Sequence, residues 1–368
     1  MIRAGELAIS VAAMAHPSRA EAVRKMVDAH PELGIRVVFD PEPDRGGTLA
    51  TALAAWSAVE PGATHHLVVQ DDILFCDDFA RLLCAAVAAR PDSAISLFAE
   101  WGSRTAFMIR IAALRGAAFA AVADPYVPTQ ALVLPADHAR ALTRHVTGGT
   151  DPDDIAIHRH LRRTGVPSVV TVPNLVEHAD RPSLTGNGFQ GLRHSACFLQ
   201  TPPFSSPAPE AAGTDLAFVP HLSWMRLVAE WFPCGPDDEP GWTGIPLAHR
   251  LPEKVTMEDL RRRFADHLHE GGPLRAALTD IVLFEFWLSG FAVGLAAGIP
   301  PDDVAAVADD PVRRTALSSA FAGGFRRYLP LAVLRELDEA AFRLFLVAVE
   351  TGTEAAQGGI ADAPVTGT

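Results

Sequence analysis

Two kinds of apolar run alternate along the first 180 residues of the chain. The first kind is short and nearly continuous: "ELAISVAAM" (6–14), "IRVVFD" (35–40), "HHLVVQDD" (65–72), "SAISLFA" (93–99), "VPTQALVLPA" (127–136) and "PSVVTVPNLVEH" (167–178). Runs of this length predict buried strands. The second kind has helical spacing. In "SRAEAVRKMVDAH" (18–30), Ala22, Met26 and Val27 share a face, and Ser18 with Glu21 three residues on reads as a helix start. In "TLATALAAWSAV" (48–59) the face is Leu49, Leu53 and Trp56. "DFARLLCAAVAAR", "ADHARALTRHV" and "DPDDIAIHRHLRRTG" complete the helices. Strands alternating with helices predict an α/β layer fold, an open sheet flanked by helices.

The pattern changes near residue 200. "QTPPFSSPAPEAAGT" (200–214) has the composition of a linker. Beyond it the spacing is almost all helical, as in "TMEDLRRRFADHLHE", where Thr256 precedes Asp259 by three and Met257, Leu260, Phe264 and Leu268 form one stripe. The expected organisation is a sheet domain over 1–199, a linker over 200–214, an all-α domain over 215–352 and a flexible tail over 353–368. Trp224, Trp231 and Phe232 in "HLSWMRLVAEWF" read as core.

Composition narrows the partners. Hydrophobic residues make up 49% and charged residues 20% of 368, which permits a large core. A net charge of −13 argues against nucleic acid, since there is no excess of cations to displace counterions from phosphates. A nucleotide remains compatible with it, because a metal ion can supply the local positive charge. The four cysteines form no CxxC pair, so neither a zinc site nor a disulfide framework is indicated and a cytoplasmic setting fits. The start of the chain reads as a strand rather than a leader, because Glu6 interrupts a short apolar run. Residues 281–300 approach the length of a membrane span, but Glu285 within them favours a buried helix over a transmembrane one.

The chemistry centres on "HLVVQDDILFCDDF". In an open α/β sheet, ligands sit beyond the carboxyl ends of the strands. The third strand delivers Asp71 and Asp72 there, and adjacent carboxylates call for a compensating charge, commonly Mg²⁺ or Mn²⁺. Asp77 and Asp78 read instead as the start of the next helix. His178 follows a later strand and is a competent ligand for the same cation. Asp153 and Asp154 open a helix whose N-terminus favours carboxylates, so either is a candidate base, with Asp154 preferred. On the other half of the edge, His16, Asp40 and Arg45 are candidate donor contacts, and Gly46 and Gly47 allow close backbone approach.

These segments resemble glycosyltransferases of the GT-A fold, most closely the lipopolysaccharide and procollagen galactosyltransferase type. "HLVVQDDILFCDDFA" is similar to their metal-binding signature, an Asp-x-Asp or Glu-Asp-Asp triplet closing a strand. "YVPTQALVLPADHARAL", "DPDDIAIHRHLRRTGVP" and "VPNLVEHADRPSLTGN" follow in the family's order, and the resemblance covers about residues 7–190. It implies a GT-A-like, Rossmann-like mixed sheet, a nucleotide-sugar donor and transfer of a hexose-like sugar to an acceptor hydroxyl. It implies Asp72 and His178 as ligands of Mn²⁺ or Mg²⁺, Asp71 on metal-bound water, ribose or sugar, and Asp154 or Asp153 as base. Gln70 departs from the pattern: it replaces the first acid of the triplet with an amide that can bond a hydroxyl but adds no charge. That departure keeps open a non-catalytic nucleotide-sugar-binding or scaffold protein. Nucleotidyl transfer is a further alternative, short of the basic residues it usually needs. The helical segment is expected to shape the acceptor site or form a homodimer contact.

Overall fold

The structure, a computed structural model, describes residues 1–44, 47–146, 151–181, 184, 186–203, 207–234, 241–268 and 272–358. The sheet region comprises β1 (Ile2–Ala4), β2 (Leu7–Ala15), α1 (Ala20–Ala29), β3 (Arg36–Phe39), α2 (Leu49–Trp56), β4 (His65–Gln70), β5 (Ile73–Phe75), α3 (Phe79–Ala89) and β6 (Ala94–Ser96). It continues with α4 (Arg104–Leu114), β7 (Phe119–Ala121), β8 (Ala131–Pro135), α5 (Ala136–His145), α6 (Asp153–Thr164), β9 (Ser168–Thr171), β10 (Val176–His178) and β11 (Ala211–Ala212). The main sheet has the order β1-β2-β4-β8-β6-β9-β7-β11, with β3 also paired to β2.

The fold is α/β with a mixed sheet. Strands β2, β3, β4, β6 and β9 run the same way, while β8 lies antiparallel between β4 and β6. The carboxyl ends of five strands therefore share one edge, and β8 starts from it. Alternation along the strands sends side chains to two cores. Val11, Leu67, Val69 and Val133 face Val23 of α1 and Leu83 and Val87 of α3. Ala12, Val68, Leu132 and Leu134 face Trp56 of α2, Leu142 of α5 and Ile157 of α6. Each large apolar side chain so buried is worth about 1.5–3 kcal/mol. This layering is the one the strand–helix alternation predicts.

Helix α4 escaped the sequence reading. All eleven of its residues are buried, arginines included, so it has no polar face to betray a helical period. It packs into a third core with the C-terminal region: β12 (Phe218–Ser223), β13 (Val228–Pro233), β14 (Ile245–Pro246), α7 (Met257–His267), α8 (Asp280–Ala297), α9 (Pro301–Ala305), α10 (Pro311–Phe325) and α11 (Leu331–Ala356).

Three expectations for this region need correction. It is not all-α, because β12, β13 and β14 form an antiparallel sheet. "FVPHLS" and "VAEWFP" are rich in aromatic and β-branched residues, and their pairing across a turn at 224–227 overrides the helical reading. The expected linker is partly tied down: Gln200 and Thr201 donate to Asp77, and β11 extends the main sheet beside β7. The expected tail begins inside α11, where Thr353 is fully buried. Thr256 does cap α7, accepting from Asp259 N at 3.1 Å. Helix α8 is long and apolar enough to cross a membrane by length and composition, yet two thirds of it (67%) is buried inside the protein. Glycines let α8 and α11 touch backbone to backbone: a Cβ on Gly294 would stand 2.0 Å from Val349 O, and one on Gly352 would stand 2.0 Å from Phe291 O.

Candidate active site

Strand β4 ends at Gln70, and Asp71 and Asp72 follow at the shared carboxyl edge. Both are buried, at 8% and 7% exposure. Asp71 accepts from His16 N at 2.9 Å, so the turn after β2 touches it through backbone. The His16 ring is turned to Ser18, whose Oγ lies 2.7 Å from Nδ1. Ser18 therefore serves this turn and does not cap α1, which starts at Ala20.

One residue missed by the sequence reading dominates the geometry. Arg19 Nη1 donates to Asp71 Oδ1 at 2.6 Å and to Asp72 Oδ2 at 2.7 Å. A guanidinium thus supplies the counter-charge that the acid pair requires. The signal in the sequence was a cation four residues beyond a buried strand, in "AHPSR".

His178 arrives by strand pairing. Strand β10 pairs antiparallel with β5, which places His178 opposite Ile73, and Ala179 N donates to Asp72 O at 2.7 Å. His178 Nε2 stands 3.4 Å from Asp72 Oδ2, near enough to interact and too poorly aligned for a hydrogen bond. Burial alone would raise the Asp72 pKa. His178 and then Arg19 outweigh that and hold the carboxyl at about 2. Asp72 Oδ1 and His178 Nε2 are both buried with no hydrogen-bond partner among the described residues. Glu177 braces this corner by accepting from the His178 N at 2.7 Å and the Ser195 N at 2.8 Å. Its contact with His194 raises that ring's pKa.

The second acid pair stands at the start of α6, as predicted. Thr48, at the start of α2, donates to Asp153 Oδ1, and Asp153 is buried. Asp154 is half-buried, and Val127 N donates to its carbonyl at 3.3 Å. Three residues on, Gln130 O accepts from Gln70 N at 2.9 Å, so one short segment links the two acid pairs along the edge. Burial, then the charge of Asp153, pushes Asp154 up to about 6. Gln70 itself reaches Thr129 Oγ1 at 3.5 Å.

The remaining sequence candidates separate. Asp40 ends β3 beside Ala15 and accepts from Glu42 N at 2.9 Å, a local turn contact. Arg45 and Gly46 lie outside the described residues. Asp77 and Asp78 do precede α3, but Asp78 makes no side-chain cap, pairs with Arg81 and has φ 55°. A groove of about 800 Å³ opens from Asp71 between α1 and β5, with Leu74 and Arg181 on its walls.

The C-terminal region also reaches this edge, through a contact between residues far apart in the sequence. Glu100, in the loop after β6, pairs with Arg326 at 3.0 Å, and Arg326 lies 4.6 Å over the Trp224 ring. Burial raises the pKa of Glu100 despite that partner. A Cβ on Gly323 would fall 2.3 Å from Trp101 O, so glycine is what lets α10 close on the loop.

Among the described residues, no group of three or more His, Cys, Asp or Glu side chains is placed to hold a metal ion. Asp72 and His178 are two such groups, with unpartnered atoms in a buried corner. That arrangement fits a cation whose remaining ligands come from a substrate. Comparison of the chain with models of known protein families and with curated proteins returned no match to either.

Proposed function

We propose that this chain is a metal-dependent glycosyltransferase of the GT-A kind, moving a sugar from a nucleotide-sugar donor to an acceptor hydroxyl. One observation supports this reading above the others: the buried, unpartnered Asp72 Oδ1 and His178 Nε2 at the carboxyl end of β4. Two buried atoms without partners, on side chains that approach to 3.4 Å, are costly unless a cation or donor completes them. Asp72 and His178 would hold Mn²⁺ or Mg²⁺ together with the donor diphosphate. When bound, such an ion neutralises charge on the diphosphate leaving group.

The chain's own residues supply the rest. Asp72, kept ionised down to about pH 2, is a ligand throughout the neutral range. Asp71 fixes the turn at His16, where the donor would lie. Gln70 offers an amide to a ribose or sugar hydroxyl. Asp154, with a pKa of about 6, is ionised at neutral pH yet basic enough to take the acceptor proton. The test is calorimetric titration of a panel of nucleotide sugars with and without Mn²⁺. Manganese-dependent binding with slow donor hydrolysis is the expected result, and binding of no nucleotide under any metal would overturn the reading.

Arg19 favours a second reading. It already bridges both aspartates, so a nucleotide-sugar protein in which this guanidinium stands in for the ion is the rival. Metal-independent binding that is lost in Arg19→Gln would select it.

A further inference from the structure

Three arginines are buried where α4 meets the C-terminal region, and they differ in one respect. Arg110 donates to Ala316 O at 3.2 Å, Trp101 O at 2.8 Å and Ser319 Oγ at 3.0 Å. Arg326 donates to Gly323 O and to Glu100. The Arg104 side chain, 5% exposed, donates to no described residue, and its Nη1 is fully buried. The guanidinium lies 3.6 Å over the Phe232 ring of β13, which fixes its plane and leaves its donors free.

The acids nearest Arg104 are committed elsewhere. Asp124 accepts from the backbone N–H groups of Arg104 and Thr105, at 3.1 and 2.9 Å, at the start of α4. Glu230 pairs with Arg226 at 2.5 Å. The loop that starts at Asp124 joins this place to the second acid pair, because Val127 N donates to Asp154 O at 3.3 Å. A buried guanidinium with its donors unused costs folding energy, and a bound anion is the partner that removes the cost.

We propose that the Arg104 guanidinium is an oxyanion subsite that takes a carboxylate or phosphate group of the acceptor. The assignment to the acceptor rests on the glycosyltransferase reading, since the loop 124–127 contacts both the start of α4 at Arg104 and Asp154, the base of that reading. The existence of the subsite does not rest on it. The planar guanidinium offers two parallel N–H groups, the fork that a carboxylate or phosphate group fits.

The test is thermal unfolding in EDTA, with no sugar donor present, titrating inorganic phosphate and, separately, acetate. For the unaltered protein, at least one of these raises Tm saturably, and the anion with the larger shift names the group. Arg104→Met loses the shift while its ligand-free Tm is equal or higher, because an unpaired buried charge has become an apolar side chain. Arg104→Lys keeps the charge and loses the fork, so its half-effect concentration rises about tenfold. Any nucleotide sugar that the unaltered protein binds with Mn²⁺ is bound equally by both variants.

Four results would overturn the proposal: no Tm response to either anion, a response that persists in Arg104→Met, an Arg104→Met that unfolds or melts several degrees lower, or nucleotide-sugar binding weakened to match. The third would make Arg104 structural, and the last would move the subsite to the donor. A protein that transfers no sugar could still pass these tests, so this proposal and the transferase reading fail separately.

Discussion

Two pairs of adjacent aspartates stand on one edge of the sheet, and their environments drive them apart. At Asp71–Asp72, Arg19 and His178 outweigh burial, and Asp72 stays ionised to about pH 2. At Asp153–Asp154 no cation among the described residues is placed on the pair; Thr48 bonds Asp153, and burial with the neighbouring charge lifts Asp154 to about 6. The sequence motif is nearly the same in both places. What differs is the partner delivered by another element, and that difference sorts one pair toward binding positive charge and the other toward accepting a proton.

The sharpest way to break this contrast is Asp154→Asn. On the proposed reading, transfer is expected to fall by about 10²–10⁴-fold, the usual worth of a general base. In the unaltered protein the rate should rise with pH through about 6, as the base loses its proton. Stability should move the other way. The folded pKa of Asp154 lies above the ordinary 3.8, so its favourable contribution is complete below about pH 4 and is lost as pH rises through 6. The asparagine variant should therefore be more stable than the parent at pH 7, by about 1–3 kcal/mol. Denaturant melts at pH 5 and pH 8 check the sign; equal effects at both would remove the special status of Asp154.

Next in size is Arg19→Gln, which would make the first pair resemble the second. Two buried carboxylates would lose their cation, and the metal-free protein should lose about 3 kcal/mol. Manganese should restore much of that, giving a larger Tm increase than in the parent. An unchanged metal-free Tm would mean that Arg19 and the acids do not depend on each other. The smallest expected effect is that of Gln70→Glu. Adding the missing acid should tighten Mn²⁺ a few-fold, read by calorimetry; weaker binding would place the ion away from residue 70.

Much of the sheet region was legible because alternation of period two and faces of period 3.6 are properties of local sequence. The acid pairs were legible because a strand end and a helix start have recognisable signatures. Arg19 was not, since nothing local ties "HPSR" to residues 52 and 53 positions away. Helix α4 was invisible because burial on every side erases its period. The β12–β13 hairpin was misread because strand pairing, a tertiary effect, decided a segment whose apolar spacing fits either state. Glu100–Arg326 joins residues 226 apart and leaves no trace in either neighbourhood.

The central claim is that Asp72 and His178 form a cation and donor corner. Isothermal titration of the intact protein and of Asp72→Asn with a panel of nucleotide sugars, in Mn²⁺ and in EDTA, tests it most directly. The account predicts binding by the parent in Mn²⁺ and a loss of about a hundredfold or more in EDTA or in the variant. Nucleotide-sugar binding of equal strength in all of these conditions would contradict it.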